Sequence, residues 1–137
     1  MSQQTILLVD DEPELVALVK LRLEANGYHV LTASDGAEGI EQARGEHPNL
    51  ILLDISMPHM DGFLVYRRLQ RAEQTRQIPC ILLSGHAVAT TVLAVLTVPW
   101  GTVVDCLIKP IDAQQLLASV QHALEASNGR GPTEQVT

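Results

Sequence analysis

The chain alternates short, continuous apolar runs with longer segments in which apolar residues recur every three or four positions. The short runs predict strands buried on both faces, and they cover Thr5–Val9, Tyr28–Ala33, Leu50–Leu53, Cys80–Leu83 and Val103–Ile108. The longer segments predict amphipathic helices between the strands. Strands that alternate with helices favour right-handed crossovers and a parallel sheet. We therefore predict an α/β fold in which helices cover both faces of a five-stranded parallel sheet.

The predicted helices carry signals typical of helix ends. Pro13 suits the first turn of the first helix, Ser34 is the predicted cap of the second, and Asp112 with Gln115 has the spacing of a capping box in the last. The residues predicted to face the sheet recur at helical spacing: Leu15, Val19 and Leu23, then Ala37, Ile40 and Ala43, then Phe63, Tyr66 and Leu69, and finally Leu116, Val120 and Leu124.

Length and composition indicate one domain. The chain has 137 residues, of which 46% are hydrophobic, and this is enough for one well-filled core. Residues 127–137 lack apolar periodicity and are predicted to form a polar C-terminal tail, which leaves residues 1–126 as the domain.

Charge and cysteine content exclude several classes of function. A formal net charge of −7 opposes direct binding to nucleic acid. No signal peptide and no apolar stretch of about 18 residues is evident, so we expect a cytoplasmic protein without membrane contact. Cys80 and Cys106 are isolated and are predicted to be reduced, and the histidines show no metal-ligand spacing.

Polar residues follow the predicted strands where each strand ends. They are Asp10, Asp11, Asp54, Ser84 and Lys109. Because ligands of parallel sheets bind beyond the carboxyl ends of the strands, we expect these residues to form one site. Crowded carboxylates are tolerated if a hard cation with oxygen ligands lies among them, and Mg²⁺ is the natural candidate.

This constellation suits phosphoryl transfer. Asp54 could attack phosphorus while Lys109 neutralises the equatorial oxygens and Ser84 donates a hydrogen bond. Taken singly, most of these residues have a simpler explanation: acids at helix starts, a serine in a turn and a solvated lysine. Asp54 does not, because a carboxylate directly after four apolar strand residues needs a partner to offset its desolvation.

Three motifs resemble the response-regulator receiver family, the CheY-like phosphoacceptor domain of two-component systems. They are Ile6–Pro13, Leu52–Pro58 with Asp61-Gly62, and Leu83–Gly85 with Lys109-Pro110, within a match over Gln3–Ala126. The resemblance implies a flavodoxin-like (βα)5 fold. It also implies a signalling module, not an enzyme beyond self-assisted phosphotransfer and slow autodephosphorylation.

The resemblance also assigns roles to the site residues. It makes Asp54 the phosphoacceptor, with Mg²⁺ held by Asp11, Asp54 and the Ser56 backbone oxygen and by Asp10 through water. Ser84 and Lys109 would bind the phosphoryl group, while Ser56 and His86 would tune its loss. The implied donor is a sensor histidine kinase or phosphotransfer protein in a phosphorelay. The implied output surface comprises the fourth helix, the fifth strand and the fifth helix, and it would contact a downstream protein.

Two features depart from the family pattern. Cys106 stands three positions before Lys109, where members often have an aromatic switch residue. Ala87–Val104, which matches the fourth helix, contains no charged residue, and one helix stripe cannot bury all its apolar side chains. We interpret this segment as a homodimer or partner interface, with local repacking or disorder as the alternative.

Two other functions fit parts of the pattern. A Mg²⁺-dependent phosphohydrolase using an aspartyl phosphate would use the same elements, but enzymes of the haloacid-dehalogenase type have a second aspartate where Ser56 stands. A receiver-like scaffold that works without phosphorylation would not need the acidic, hydroxyl and lysine set.

Overall fold

One parallel sheet organises the protein, whose structure is a computed structural model describing residues 3–57, 62–85 and 102–129. Its strands are β1 (Thr5–Val9), β2 (His29–Ala33), β3 (Leu50–Asp54), β4 (Cys80–Ser84) and β5 (Val103–Ile108). Within the described ranges the helices are α1 (Pro13–Ala25), α2 (Gly36–Glu46), α3 (Gly62–Arg71) and α4 (Ala113–Gly129). The strands are parallel in the order β2-β1-β3-β4-β5, which confirms the predicted α/β, flavodoxin-like sheet.

Alternate side chains of the strands fill two separate cores. On one face, Ile6 and Leu8 belong to the cluster that includes Val19 and Leu23 of α1 and Val120 of α4. On the other face, Leu7 and Val9 belong to the cluster that includes residues of α2 and α3. The central strands are buried on both faces, as their uninterrupted apolar sequences predict.

The strand order places a crevice at one edge of the sheet. The chain leaves β1 for β2 on one side and returns to β3 on the other, so the crossovers next to β1 diverge. A crevice therefore opens where the carboxyl ends of β1 and β3 meet. Val9 and Leu53 are paired there in register, and Asp10 and Asp54 directly follow them.

The start of α2 differs from the prediction. Asp35, not Ser34, caps the helix, because its Oδ1 accepts a hydrogen bond from Glu38 N at 2.8 Å. The Ser34 N–H instead donates to Glu38 Oε1 at 2.8 Å, which completes a reciprocal cap one residue later than expected.

The inner face of α2 also differs, because Ala37 is exposed. Ala43 is buried as predicted, and Gly36 and Gly39 are buried in place of Ala37. The reason is close packing, since a Cβ at Gly39 would lie 2.8 Å from Val9 Cγ2.

The last helix begins at its predicted cap and extends into the predicted tail. The predicted cap at Asp112 is confirmed by its Oδ2, which accepts a hydrogen bond from Gln115 N at 2.9 Å. The α4 backbone continues to Gly129, so the first residues of the predicted tail, 127–129, are helical. Residues 130–137 lie outside the described residues, as does most of the Ala87–Val104 segment, of which Val103 and Val104 belong to β5.

Two further expectations concern membranes and cysteines. No helix within the described ranges is long and apolar enough to cross a bilayer. Cys80 and Cys106 are free thiols, the first buried and the second half-buried. Burial raises the pKa of the Cys80 thiol to about 12, so this side chain stays protonated and unreactive at neutral pH.

Candidate functional site

Two buried aspartates lie side by side at the carboxyl ends of the central strands. Asp10 follows β1 and Asp54 ends β3, and each is only 1% exposed. The apolar strand residues before each of them bring the carboxylates to the end of the sheet without exposing them to bulk water. Buried charges of this kind require compensating partners.

Lys109 follows the edge strand β5 and supplies the compensating positive charge. Its backbone N–H donates to Ser84 O at 2.8 Å, which holds the residue beside the end of β4. From there its Nζ lies 3.0 Å from Asp54 Oδ2, 2.9 Å from Asp10 Oδ2 and 2.7 Å from Glu12 Oε1. The Lys109–Pro110 peptide bond is cis.

Backbone and hydroxyl groups hold the remaining carboxylate oxygens. Asp54 Oδ1 accepts hydrogen bonds from Ser56 N at 2.8 Å and from Ser56 Oγ at 2.7 Å. The Ser56 hydroxyl in turn accepts a hydrogen bond from Gly85 N at 3.0 Å, so it joins the loop after β3 to the end of β4. Asp10 Oδ1 accepts from Glu12 N at 2.9 Å. The orientation of both carboxylates is thereby fixed.

Burial and charge shift the ionisation of two site residues. Burial raises the pKa of the Asp10 carboxyl, and the Asp54 charge adds to this, although the Glu12 N–H and Lys109 act in the opposite direction. Burial alone would lower the pKa of Lys109, but its contacts with Glu12, Asp10 and Asp54 outweigh this and raise it above its ordinary value. Lys109 is therefore a permanent cation at neutral pH.

The donor set fits a hard divalent cation. Asp10, Glu12 and Asp54 each offer a carboxylate oxygen, and these oxygens lie within 4.8 Å of one another. In the part of the chain that the structure describes, Asp10 Oδ2 is buried without a hydrogen bond, although it is ion-paired with Lys109. Carboxylate oxygens are ligands that Mg²⁺ prefers in proteins, so this donor set is compatible with the ion.

The predicted site residues are only partly brought together. Asp10 and Asp54 both contact Lys109, and Ser84 is buried at the same sheet edge. Asp11 lies outside the group of carboxylates described above. With Asp10 it lines a cavity of about 160 Å³ between the ends of β1 and β2 and the start of α1.

Two other predicted residues lie away from the carboxylates or are not described. Cys106 packs against the core on the face covered by α2 and α3, and burial followed by the Asp105 charge raises the pKa of its thiol. His86 lies outside the described residues.

Two functional features were missed from the sequence. Glu12 contacts Lys109, yet an acid just before Pro13 also matches the common preference for acids at helix starts. Gly62 is required by the close approach of α3 to the end of β3, because a Cβ there would lie 2.4 Å from Ile55 Cα and 2.8 Å from Asp54 O. The sequence identified the Asp61-Gly62 pair as a turn and as part of a family motif, and neither predicts this close packing.

Comparison with known proteins finds one matching family and several similar sequences. The family described as response regulator receiver domain matches residues 6–121. The chain is 37% identical over 123 residues to the DNA-binding dual master transcriptional regulator RpaA of Synechocystis, a match that covers 90% of this chain and 50% of RpaA. It is 34% identical over 122 residues to protein PilH of Pseudomonas aeruginosa, covering 87% of this chain and 96% of PilH.

A solved structure shares the fold. The CheY-like response regulator receiver domain protein from Methanospirillum hungatei superimposes with a TM-score of 0.84 at 26% identity, over 95% of this chain and 100% of that one. The chain spans about half of RpaA and 96% of PilH, so similar sequences occur both within longer proteins and nearly alone.

Proposed function

Because the chain belongs to the response regulator receiver domain family, we propose that Asp54 accepts a phosphoryl group and that the modified domain signals to a partner protein. The observation that carries this proposal is the environment of Asp54. Its carboxylate is buried at the sheet edge, with one oxygen 3.0 Å from Lys109 Nζ and the other held by Ser56. These contacts orient the carboxylate at the edge of the sheet, as a nucleophile requires.

The reaction transfers one phosphoryl group between two side chains. A bond forms between a carboxylate oxygen of Asp54 and phosphorus, while the bond from phosphorus to the donor imidazole nitrogen breaks and its electron pair stays on the imidazole. Lys109 balances the negative charge that collects on the phosphoryl oxygens. Ser84, buried at the end of β4, is the proposed hydroxyl donor to the same group.

Mg²⁺ is the proposed cofactor. In this proposal Asp11, Asp54 and the Ser56 backbone oxygen would hold the ion directly and Asp10 would hold it through water. The clustered oxygens of Asp10 and Asp54 support this proposal, although Asp11 lies outside their cluster. When bound, the ion would offset the charge of the acidic side chains and of the phosphoryl oxygens. The protein's own groups orient the nucleophile.

Loss of the phosphoryl group and transmission of the signal involve further residues. We propose that Ser56 and His86 tune the rate of autodephosphorylation. Ser56 already donates to Asp54 Oδ1 in the unmodified protein, which supports its influence on that rate. Cys106 occupies the aromatic switch position, so transmission from Ser84 is proposed to proceed without a swinging ring.

The partners follow from the chemistry and from the relatives. The proposed donor is a sensor histidine kinase or a phosphotransfer protein in the cytoplasm, and the proposed target is a downstream protein. Direct binding to nucleic acid is not proposed, given the net charge of −7. RpaA is DNA-binding, but this chain matches only half of it. The Ala87–Val104 segment is the proposed homodimer or partner surface, and light scattering showing a monomer at high concentration would exclude the homodimer.

The chemistry is tested by phosphorylation with a small donor. The protein is incubated with phosphoramidate and Mg²⁺, and its intact mass is followed over time. We expect one added phosphoryl group on wild type and none on Asp54→Asn. Asp112→Asn is the matched control, because it removes a carboxylate that is not one of the clustered acids and keeps a good helix cap. Labelling of Asp54→Asn at the wild-type rate would refute the proposal. Rapid, repeated turnover would favour a phosphohydrolase.

A further inference from the structure

Three carboxylates surround the ammonium group of Lys109. An ammonium group has three N–H donors, and three carboxylate oxygens lie at 2.7, 2.9 and 3.0 Å from Nζ. The contacts with Glu12 and Asp54 are hydrogen bonds, and the contact with Asp10 is an ion pair. The Lys109 side chain is only 10% exposed, so little space remains for a further anionic oxygen. A phosphoryl oxygen that binds Lys109 therefore has to compete with these carboxylates for the ammonium group.

The three carboxylates differ in how easily they can leave. Asp10 and Asp54 have side chains 0% and 1% exposed, and withdrawing the cation would leave buried charges uncompensated. The Glu12 side chain is 58% exposed and extends from the residue just before α1. Its carboxylate can return to water, and exposed ion pairs contribute little to stability. Glu12 is therefore the contact that gives way first.

We propose that Glu12 is a positioning residue that holds the place of a phosphoryl oxygen on Lys109. In the unphosphorylated protein its carboxylate keeps Nζ directed into the site. When Asp54 is phosphorylated, the phosphoryl group takes over this N–H and Glu12 moves into solvent. Glu12 thus competes with the phosphoryl group for Lys109 and weakens its binding. This inference rests on the proposed function and adds a residue to which neither the motif resemblance nor the charge pattern gives a role.

The test compares three variants. Glu12→Gln removes the anionic competitor, and Glu12→Asp keeps the charge but shortens the side chain by one methylene. Glu14→Gln makes the same charge change two residues away on the exposed first turn of α1. For each, the labelling rate is measured against phosphoramidate concentration at saturating Mg²⁺. Equilibrium binding of beryllofluoride with Mg²⁺ is measured from the Gly85 amide signal by NMR. A separate Mg²⁺ titration ensures that the sites compared are equally loaded.

The expected result is a split between binding and rate. Glu12→Gln and Glu12→Asp should both lower the half-saturating phosphoramidate concentration and the beryllofluoride dissociation constant by about two- to fivefold. The maximal rate should change little, and Glu14→Gln should match wild type.

Three outcomes would overturn the role of Glu12. Wild-type binding in Glu12→Gln would show that Lys109 does not need to be released. If Glu12→Gln binds beryllofluoride more tightly but Glu12→Asp binds it like wild type, the effect comes from the charge of Glu12 and not from its contact with Lys109. If Glu14→Gln lowers the dissociation constant as much as Glu12→Gln does, the effect again comes from charge at a distance. If wild type is not labelled on Asp54 at all, the proposed function fails first, whereas labelled wild type with unaltered Glu12 variants removes only the competition.

Discussion

Lys109 is the cation on which two buried carboxylates depend. Its Nζ contacts Asp10 and Asp54, whose side chains are 0% and 1% exposed. Removing one partner of a buried ion pair leaves the other charge uncompensated, which costs far more than losing a surface pair. The same residue is proposed to bind the phosphoryl group, so stability and chemistry are coupled at this position.

The Lys109→Ala variant tests this coupling. In metal-free buffer we expect it to lower the free energy of unfolding by about 3 kcal/mol, because Asp10 and Asp54 lose their cation. Chemical denaturation with and without Mg²⁺ measures the effect. Mg²⁺ should stabilise the variant more than wild type, since the ion replaces the missing charge, while phosphorylation should be strongly impaired. Lys20→Ala on α1 is the control and should be near neutral. Activation of Lys109→Ala equal to wild type would contradict the role of Lys109.

Asp10 gives a prediction about pH. Burial raises the pKa of its carboxyl above the ordinary value of 3.8, so the folded state disfavours the charged form. The stability that this group contributes is full below 3.8 and is lost as pH rises through the elevated folded-state value. Asp10→Asn should therefore gain stability relative to wild type as pH rises from 3.8 through the raised pKa. Denaturation in chelator across this range measures the unfolding free energy of Asp10→Asn relative to that of wild type. A relative stability of the variant that falls as pH rises would contradict a raised pKa of Asp10.

The sequence predicts some residue contacts and misses others for identifiable reasons. Asp54 and Lys109 were expected to meet because each follows a strand of one parallel sheet. The Glu12 contact with Lys109 depends on the path of a long, half-exposed side chain, which no sequence pattern encodes. Likewise, Ser34 and Asp35 are both good caps, and only the backbone at the start of α2 selects Asp35.

At the scale of elements, the close approach of α3 to the end of β3 constrains the backbone at Asp54 and Ile55. The helix begins at Gly62, where the backbone comes so close to Asp54 and Ile55 that a side chain cannot be accommodated. The segment from Ile55 to Met57 carries Ser56, which orients the Asp54 carboxylate. The position of this helix start is therefore linked to the geometry of the nucleophile.

The Gly62→Ala variant tests that link. A Cβ 2.4 Å from Ile55 Cα meets backbone instead of a flexible side chain, so α3 or the end of β3 must shift. We expect a loss of about 1 to 3 kcal/mol in unfolding free energy and slower phosphorylation of Asp54. Gly45→Ala in α2 is the matched control, because nothing lies within 4 Å of its Cβ and alanine should stabilise the helix by up to about 1 kcal/mol. Equal stability of the two variants would show that the contact is not constraining.

Packing distances between elements explain why the inner face of α2 was mispredicted. Apolar periodicity favours Ala37, but the helix lies so close to β1 that Gly39 faces Val9 and Ala37 faces solvent. Periodicity identifies a stripe of the helix and not its exact rotation. The strand predictions were more accurate, because continuous apolar runs between polar residues leave little choice of boundary.

At the scale of the whole molecule, the topology assembles the site from distant parts of the sequence. Asp10, Asp54 and Lys109 belong to three separate strand ends, yet the order β2-β1-β3-β4-β5 gathers them at one edge. The alternation of strands and helices was sufficient to predict this edge. It could not predict which carboxylates approach one another most closely, because that depends on side-chain conformations beyond the strand ends, as Asp11 and Glu12 illustrate.

The most direct test of the account is to identify the residue that carries the phosphoryl group. Wild-type protein phosphorylated with phosphoramidate and Mg²⁺ is reduced with borohydride, which converts an aspartyl phosphate to homoserine, and is then digested and sequenced by mass spectrometry. We expect reduction at Asp54 alone. Reduction at Asp10 or Asp11, or a phosphoryl group on Ser84 with Asp54 intact, would contradict the assignment of Asp54 as the nucleophile.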